Sequence, residues 1–495
     1  MLKDLFRTKS LDAILHESEA PTHQLKRTLG AFDVVMLGIG AIIGAGIFAT
    51  IGTAAAGDAT RPGAGPSLIL SFVVTGVACG FAALCYAEFA AMVPISGSAY
   101  TYAYATLGEL VAWIIGWDLI IEYAVGNVAV AISWANYFKT LVAGFGIVIP
   151  GWLSTDYRTA ARMPGLFASA PHLWGVPIVF NILAFGIVAL ITIVLVIGIR
   201  ESVSLNTAMV SVKLVVLGLF VLVGWTYTKP EHWQPFAPNG WAGVQAGAAI
   251  VFFAYIGFDA VSTVAEEVRD PTRDLPIGII GSLIICTAIY IVVALVFTGI
   301  IPYEVLVKKL ATEQAEPLTM ALQYANIQKW GNLLIGIVAF GSVVAHTAVL
   351  LVFQLGQPRI FFSMARDGLL PQTFAKVHPR FRTPHVTTIL TGAAVGVCAM
   401  VTSIDEMVDL TNIGTLFAFV LVCVGILILR RRDPERPRPF KTPWVPVVPL
   451  LGIISCLYLM LGLPWVTWIR FGLWLALGLV IYFPYGRRRS RLRSG

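Results

Sequence analysis

GAIIGAGIF, residues 40–48, sits in the middle of an apolar segment running from about Ala31 to Gly57. Its glycines at 40, 44 and 46 make a poor helix core, since each costs up to ~1 kcal/mol against alanine. Inside a bilayer an unpaired backbone is costlier still, so non-helical chain survives only where it lines a cavity or a ligand. The stretch therefore predicts two half-helices meeting near the membrane midplane. The second half would offer free N–H groups at Ala45 and Gly46 and a partial positive charge, a seat for a small carboxylate. The competing reading is close helix packing, because Gly40-x-x-x-Gly44 also suits a helix–helix contact.

A second stretch tips the balance. FFAYIGFDA, Phe252 to Ala260, places one glycine and one acid inside another apolar segment, about 243 to 265. The two interrupted segments are the first and sixth of the spans, an odd separation, so they cross the membrane in opposite directions. Paired interruptions at matching places in two inverted halves point to a transport site at the midplane.

The remainder of the chain fits a polytopic membrane protein. Of 495 residues, 57% are hydrophobic and 12% charged, with a mean hydropathy of +0.81. A soluble domain cannot hide that much apolar surface. Twelve spans are predicted at 31–57, 66–92, 109–136, 175–199, 203–226, 242–266, 276–301, 330–358, 385–402, 408–430, 444–463 and 465–486. Residues 1–30 form a polar N-terminal segment with an amphipathic helix around Thr8 to Glu19, and no cleavable signal peptide is visible. Spans 1–10, residues 31–430, make the transport core; residues 431–486 hold spans 11 and 12, and 487–495 a basic tail.

With the N-terminus inside, 24 of the 34 Lys and Arg residues fall in cytoplasmic segments. That asymmetry places both termini in the cytoplasm of a cell whose cytoplasmic membrane holds the protein. The net charge of +7 thus reflects topology, and no nucleic-acid partner is implied; the tail RRRSRLR reads as a topology signal or lipid-headgroup contact. Residues 137–174 should fold over the outer face, and 359–384 should contain a short helix lying against the inner one. The six cysteines lack metal-ligand spacing and read as small buried packing residues.

Ionisable residues within a bilayer cost ~2.5–3.5 kcal/mol each at the helix centre, so each asks for a role or a partner. Lys213, deep in the fifth span, reads as a proton carrier or as a structural lysine holding carbonyls at a helix break. Glu122 in the third span, with Asp118 on its face, reads as a substrate or proton group or as a packing hydrogen bond. Asp259 opens the second half of the sixth span, where an N-cap aspartate belongs, and is with Glu122 a possible pocket acid. Glu88 reads as interfacial, and His346 as a hydrogen-bonded helix-interface residue. No nucleophile elbow, phosphate loop, zinc pair or cofactor motif is present, so an enzyme is not expected. An ion channel would need a continuous polar pore or a repeated filter, and the chain offers isolated charges instead.

GAIIGAGIF (40–48), YAEFAAMVPISGSAYTYAYATLGELVAWIIGWDLIIEY (86–123), FFAYIGFDAVSTVAEEVRDPTRDLPIGI (252–279), RDGLLP (366–371) and LTNIGTLFAF (410–419) resemble the amino acid–polyamine–organocation transporters. Within them the chain is most similar to bacterial homologues of the cationic amino acid transporter family. The resemblance implies an all-α membrane fold of the leucine-transporter type: a 5+5 inverted repeat with broken helices 1 and 6, plus helices 11 and 12. It implies alternating access, with an L-amino acid and a proton as ligands and the lipid bilayer as surroundings; the sequence specifies no accessory subunit.

The same resemblance puts the substrate carboxylate at the backbone of Ile42, Ala45 and Gly46. Its ammonium falls at carbonyls around Phe253, Ala254 and Ile256. Lys213 matches the lysine that stands where sodium-coupled relatives hold sodium, and Ala348 after Thr347 removes a hydroxyl that a sodium site would use. Ala45 replaces a residue that is often polar. Phe353 falls at the pocket floor and shares a face with His346, Val349 and Leu350. Its bulk predicts small neutral substrates such as alanine, with arginine or lysine transport and uncoupled exchange as the alternatives.

Overall fold

The computed structural model describes residues 6–9, 27–94, 98–198, 203–312, 316–327 and 330–494. The amphipathic helix expected at Thr8 to Glu19 falls almost wholly on 10–26, outside the described residues. The first apolar segment is α1 (Ala31–Ile42), a break, a π-turn at Gly46–Thr50 and α2 (Ile51–Ala56). Next come α3 (Leu68–Met92), a connecting α4 (Ser98–Thr106), then α5 (Glu109–Ile120) and α6 (Gly126–Ala143), joined through a π-turn at Ile121–Val125. A small hairpin, β1 (His172–Leu173) and β2 (Val176–Pro177), precedes α7 (Ile182–Ile197) and α8 (Val203–Trp225). The chain continues as α9 (Gly240–Val251), two 3-10 turns, α10 (Pro271–Ile300) and, after short helices, α11 (Gly331–Arg366). It ends with α12 (His385–Val401), α13 (Ile404–Arg432), α14 (Val447–Leu461) and α15 (Trp465–Ile481).

Among the described residues eight helices are long and apolar enough to cross a membrane, or nine when α1 and α2, bent by 40°, count as one span. Three shorter apolar helices, α7, α12 and α14, accompany them. Lipid-facing positions carry large apolar side chains such as Leu222, Ile284 and Leu473, as expected where the solvent is hydrocarbon. Two packing groups emerge. Helices α1, α3, α9 and α10 lie together, and α6, α7, α11 and α12 form the other set, with α8 touching both α1 and α11.

Several boundaries and environments depart from the sequence reading. The fourth span starts at Ile182, seven residues later than expected, because 172–177 is spent on the hairpin. Asn181 then caps α7, its side chain accepting the Ala184 N–H at 3.0 Å. The eighth span does not stop at 358: α11 runs through Pro358 to Arg366, and only a 3-10 turn at Gln372–Ala375 follows. Ile360, Met364 and Ala365 continue its buried face, which outweighs the one backbone bond that Pro358 removes. Five cysteines are buried, whereas Cys398 is exposed beside the outward-facing Val397 and Val401 of α12.

Glu88, expected near the interface, is enclosed by protein. It is fully buried, accepts Arg430 Nε and Nη2 at 2.9 Å each and the Thr442 N–H at 2.8 Å, and lies 3.2 Å from Arg438 Nε. A buried carboxylate needs that many partners to offset its desolvation. The network ties α3 to the end of α13 and to the segment after it. Asp259 is not the N-cap. Phe258 holds the cap position, and Asp259 is the first residue of the 3-10 turn Asp259–Glu267 with no capping bond.

Candidate functional site: two chain breaks in contact

The first break follows from Ile43, which leaves the helix for an extended conformation (φ −76°, ψ 104°). The helix resumes at Ala45 and Gly46, so the N–H groups there have no intrahelical acceptor, as in any first turn. The second break is at Gly257, whose φ of +120° suits only glycine. The two breaks touch. A Cβ on Gly46 would lie 2.1 Å from Ala254 Cα, and one on Gly257 would lie 2.8 Å from the Ala41 carbonyl. Gly46 and Ala254, two of the backbone positions singled out from sequence, are thereby in contact.

The carbonyls freed at the breaks are taken up by side chains from neighbouring helices. Lys213 on α8, fully buried, donates to the Gly40 oxygen at 2.6 Å and the Ile43 oxygen at 2.9 Å. The Tyr290 hydroxyl on α10 lies 3.1 Å from the Ile42 oxygen and 2.8 Å from the Ala254 oxygen, bridging the breaks. Asn412 on α13 donates to the Ala249 oxygen at 2.8 Å. Tyr290 was missed in the sequence. The available signal was a tyrosine inside an otherwise apolar span, whose hydroxyl must find a partner when buried.

Glu122 sits in the π-turn Ile121–Val125, a distortion frequent at functional sites. It and Asp259 are buried neighbours. Both Asp259 oxygens and Glu122 Oε2 lack a hydrogen-bond partner. Phe353 is buried, its ring edge-on to Tyr123 with centroids 5.6 Å apart and close to Gly126. One turn earlier, Val349 Cγ2 would meet a Cβ on Gly44 at 2.7 Å, so Val349 is the α11 residue that covers the first break. Thr347 is engaged elsewhere, accepting from Trp134 at 3.0 Å.

Aromatic layers close the breaks off on both sides. On one side Phe48, Tyr137 and His346 stand with ring centroids 5.7–5.9 Å apart. The Tyr137 hydroxyl also donates to the Phe48 oxygen at 2.6 Å. His346 is held by Ser342 O at 2.6 Å and Ser133 Oγ at 2.7 Å, which makes it a hydrogen-bonded interface residue as its setting suggested. Beyond this layer lies an open cavity of about 530 Å³. On the other side the closure is thicker: Tyr86, Phe89, Tyr102, Phe258 and Phe419 contact one another with centroids 5.0–6.3 Å apart.

Comparison with known proteins places this architecture. An amino acid permease family model matches residues 29–481. The chain is 47% identical over 494 residues, the full length of both, to a branched-chain amino acid permease of Bacillus subtilis (strain 168). It is 44% identical over 493 residues, again end to end, to a methylthioribose transporter of the same organism. It is 36% identical over 444 residues to the vacuolar cationic amino acid transporter 4 of Arabidopsis thaliana, covering 88% of this chain and 68% of the relative. A multi-pass membrane protein whose family match spans both breaks and nearly every helix between them, the chain belongs to the amino acid permeases of the amino acid–polyamine–organocation superfamily.

Proposed function

We propose that the protein is a proton-coupled symporter of neutral L-amino acids in the cell membrane, working by alternating access across twelve spans. In this reading spans 1–5 and 6–10, within residues 31–430, form inverted halves, and spans 11 and 12 are appended to that core. The observation that carries it is the meeting of two broken helices, with a buried lysine ammonium on the carbonyls of one of them. The N–H groups of Ala45 and Gly46 receive the substrate carboxylate. Carbonyls near Phe253, Ala254 and Ile256 receive its ammonium, taking over from Tyr290.

Lys213 couples the proton. Bound to two carbonyls, it uses two of the three protons an ammonium carries, so the neutral amine can make the same two bonds. Loss of the third proton therefore leaves the break held while its charge disappears, and that change links proton and substrate occupancy. Substrate side chains of alanine to leucine size suit an apolar end bounded by Val349 and Phe353, and the B. subtilis relative bears a branched-chain description.

A cationic substrate is the second reading, favoured by the unpartnered oxygens of Glu122 and Asp259, which would accept a guanidinium. Against it, two adjacent carboxyls satisfy each other by sharing one proton, and then need no cation. Uptake into proteoliposomes decides among these readings. Alanine, leucine, arginine and methylthioribose are each offered with and without a proton gradient, and with and without sodium. Gradient-driven uptake of alanine or leucine, independent of sodium, is the expected result. Uptake confined to arginine or to methylthioribose would overturn the neutral amino-acid reading, and sodium dependence would overturn the coupling.

A further inference from the structure

Both ends of the chain meet at the start of α5 and the end of α11. They do so on the side of the five-ring closure, to which α4 contributes Tyr102. After α15 a π-turn at Tyr482–Gly486 leads into the basic tail. The Tyr482 hydroxyl donates to Glu109 Oε1 at 2.8 Å, and Ser490 Oγ donates to Glu109 Oε2. All three residues are buried, so the end of the chain supplies donors to a carboxylate that burial would otherwise penalise. The next residue, Arg491, donates its backbone N–H to the Asp367 oxygen at 3.1 Å. Gly368, at φ +84°, passes so close to the Arg489 oxygen that no side chain fits between them.

Residues 7–9, from the other end, rest on the same two acids. The Glu109 N–H donates to the Arg7 oxygen at 3.0 Å, and the Lys9 N–H to the Tyr104 oxygen at 3.1 Å. Lys9 Nζ lies 3.3 Å from Asp367 Oδ1, while the Tyr100 hydroxyl donates to Oδ2 at 2.7 Å. Tyr104 takes part in both sets, its carbonyl holding Lys9 and its hydroxyl facing Ser490. Glu109 thus carries the tail on its carboxylate and Arg7 on its backbone. Asp367 does the reverse, with the tail on its carbonyl and Lys9 on its carboxylate.

We propose that the C-terminal tail positions the N-terminal segment: Ser490 and Arg491 fix Glu109 and Asp367, and residues 7–9 dock on the pair so fixed. The docked segment belongs to the chain that enters α1 at Ala31, one half of the first break, so docking helps hold the five-ring side shut. Control of opening rests on the proposed alternating access; the tail's hold on the docking seat does not.

Arg491→Pro removes the N–H on Asp367 without reshaping the chain. Arg491 opens the closing turn Arg491–Ser494, a first helical position where proline is tolerated. Ser490 before it is extended, at φ −55° and ψ 127°, as a residue preceding proline must be. Ser490→Ala removes the hydroxyl on Glu109. Hydrogen–deuterium exchange of the purified full chain is followed by mass spectrometry in peptides that contain Lys9 or Glu109. The Thr159 amide, bound by Asp156 beside the open cavity, is the internal reference. Each variant should speed exchange at Lys9 and Glu109 at least about tenfold, a shift of ~1.4 kcal/mol in local opening. Arg491→Lys keeps the N–H and Ser490→Thr the hydroxyl, so both should exchange as the wild type does. Unchanged exchange in Arg491→Pro and Ser490→Ala, or an equal rise in the conservative variants, overturns the proposal. In proteoliposomes the two disruptive variants should also raise the rate of substrate counterflow at least about twofold, the change an unlatched closure gives. Faster exchange with unaltered counterflow overturns the control of opening. Wild-type protein that transports no amino acid sinks the proposed function, while the exchange result still decides whether the tail builds the seat.

Discussion

Gly46→Ala tests whether the contact between the two breaks is what the fold is built around. The new methyl carbon would lie 2.1 Å from Ala254 Cα, 2.5 Å from its Cβ and 2.7 Å from its nitrogen. Carbon atoms rest at about 3.5–4.0 Å, so the breaks must part by roughly 1.4 Å. No side chain can rotate away to absorb this, because the nearest atom is backbone. Overpacking of this kind costs ~1–3 kcal/mol, and the upper end applies here. Under the proposed function, parting the breaks also pulls the Ala45 and Gly46 N–H groups off the substrate carboxylate. Each hydrogen bond to a charged group contributes ~1.5–3 kcal/mol, so losing one weakens substrate binding by roughly 10- to 150-fold. The assay is substrate-dependent thermal stabilisation of purified protein, alongside counterflow in proteoliposomes. Gly218→Ala is the control. It lies inside α8 with no atom within 4 Å of its added Cβ, and the gain in helix propensity makes it neutral or stabilising by up to ~1 kcal/mol. Wild-type affinity and counterflow in Gly46→Ala would refute the reasoning.

Lys213→Ala strips both carbonyls at the first break of their donor; accumulation driven by a proton gradient should vanish and the pH dependence of uptake flatten, with sodium unable to restore either. Undiminished gradient-driven accumulation would sink the coupling role. Phe353→Ser, which removes the ring packed on Tyr123, should admit arginine and weaken alanine binding in competition assays; an unchanged substrate order would show that Phe353 does not border the substrate. Glu88→Gln leaves Arg430 and Arg438 around a neutral amide, and breaking a buried ion pair on one side costs ~3–5 kcal/mol. The melting temperature in detergent should drop by several degrees, more than for Arg158→Gln, whose partner Glu406 it meets with 54% of its own side chain exposed; equal effects would argue that the Glu88 network adds little.

The breaks were legible because glycines 40, 44, 46 and 257 interrupt apolar runs that nothing else in the sequence would interrupt. Lys213 was legible for a related reason: a lone charge deep in a span needs a partner, and exposed backbone carbonyls at a break supply one. What the sequence hid was partnership over long separations. Glu88 lies at the end of an apolar span, a position that reads as interfacial, and only the return of Arg430 and Arg438 from 342 and 350 residues later buries it. The eighth span reads from sequence as 330–358, since local rules cannot see that α11 is flanked closely enough to run on to Arg366. Asp259 fits the residue preference of a cap, yet it falls one residue inside the 3-10 turn that Phe258 caps, and its carboxyl neighbours Glu122, 137 positions earlier.

The two closures differ in what must be broken to open them, and under the proposed mechanism that difference sets the order of events. Toward the cavity, one layer of three rings stands in the way. Tyr137 is held there by donating its hydroxyl proton to the Phe48 oxygen. His346 has both ring nitrogens engaged: Ser342 O can only accept, so Nδ1 carries a proton, and Nε2 pairs with the Ser133 hydroxyl. A ring satisfied at both nitrogens has no reason to move, so the hinge of that gate is Phe48 and the π-turn that carries it. On the opposite side five rings interlock, and the Glu88 network binds α3 to α13 behind them. Opening there has to shear an aromatic cluster and separate buried charges, at a cost beyond that of swinging one ring. Substrate binding is the step positioned to offset that cost. Its ammonium competes with Tyr290 for the Ala254 carbonyl, and a phenol with one proton cannot serve Ala254 and Ile42 fully at once. Once displaced from Ala254, Tyr290 is left to Ile42 alone, and the bridge between the two broken helices is released where it crosses from one to the other.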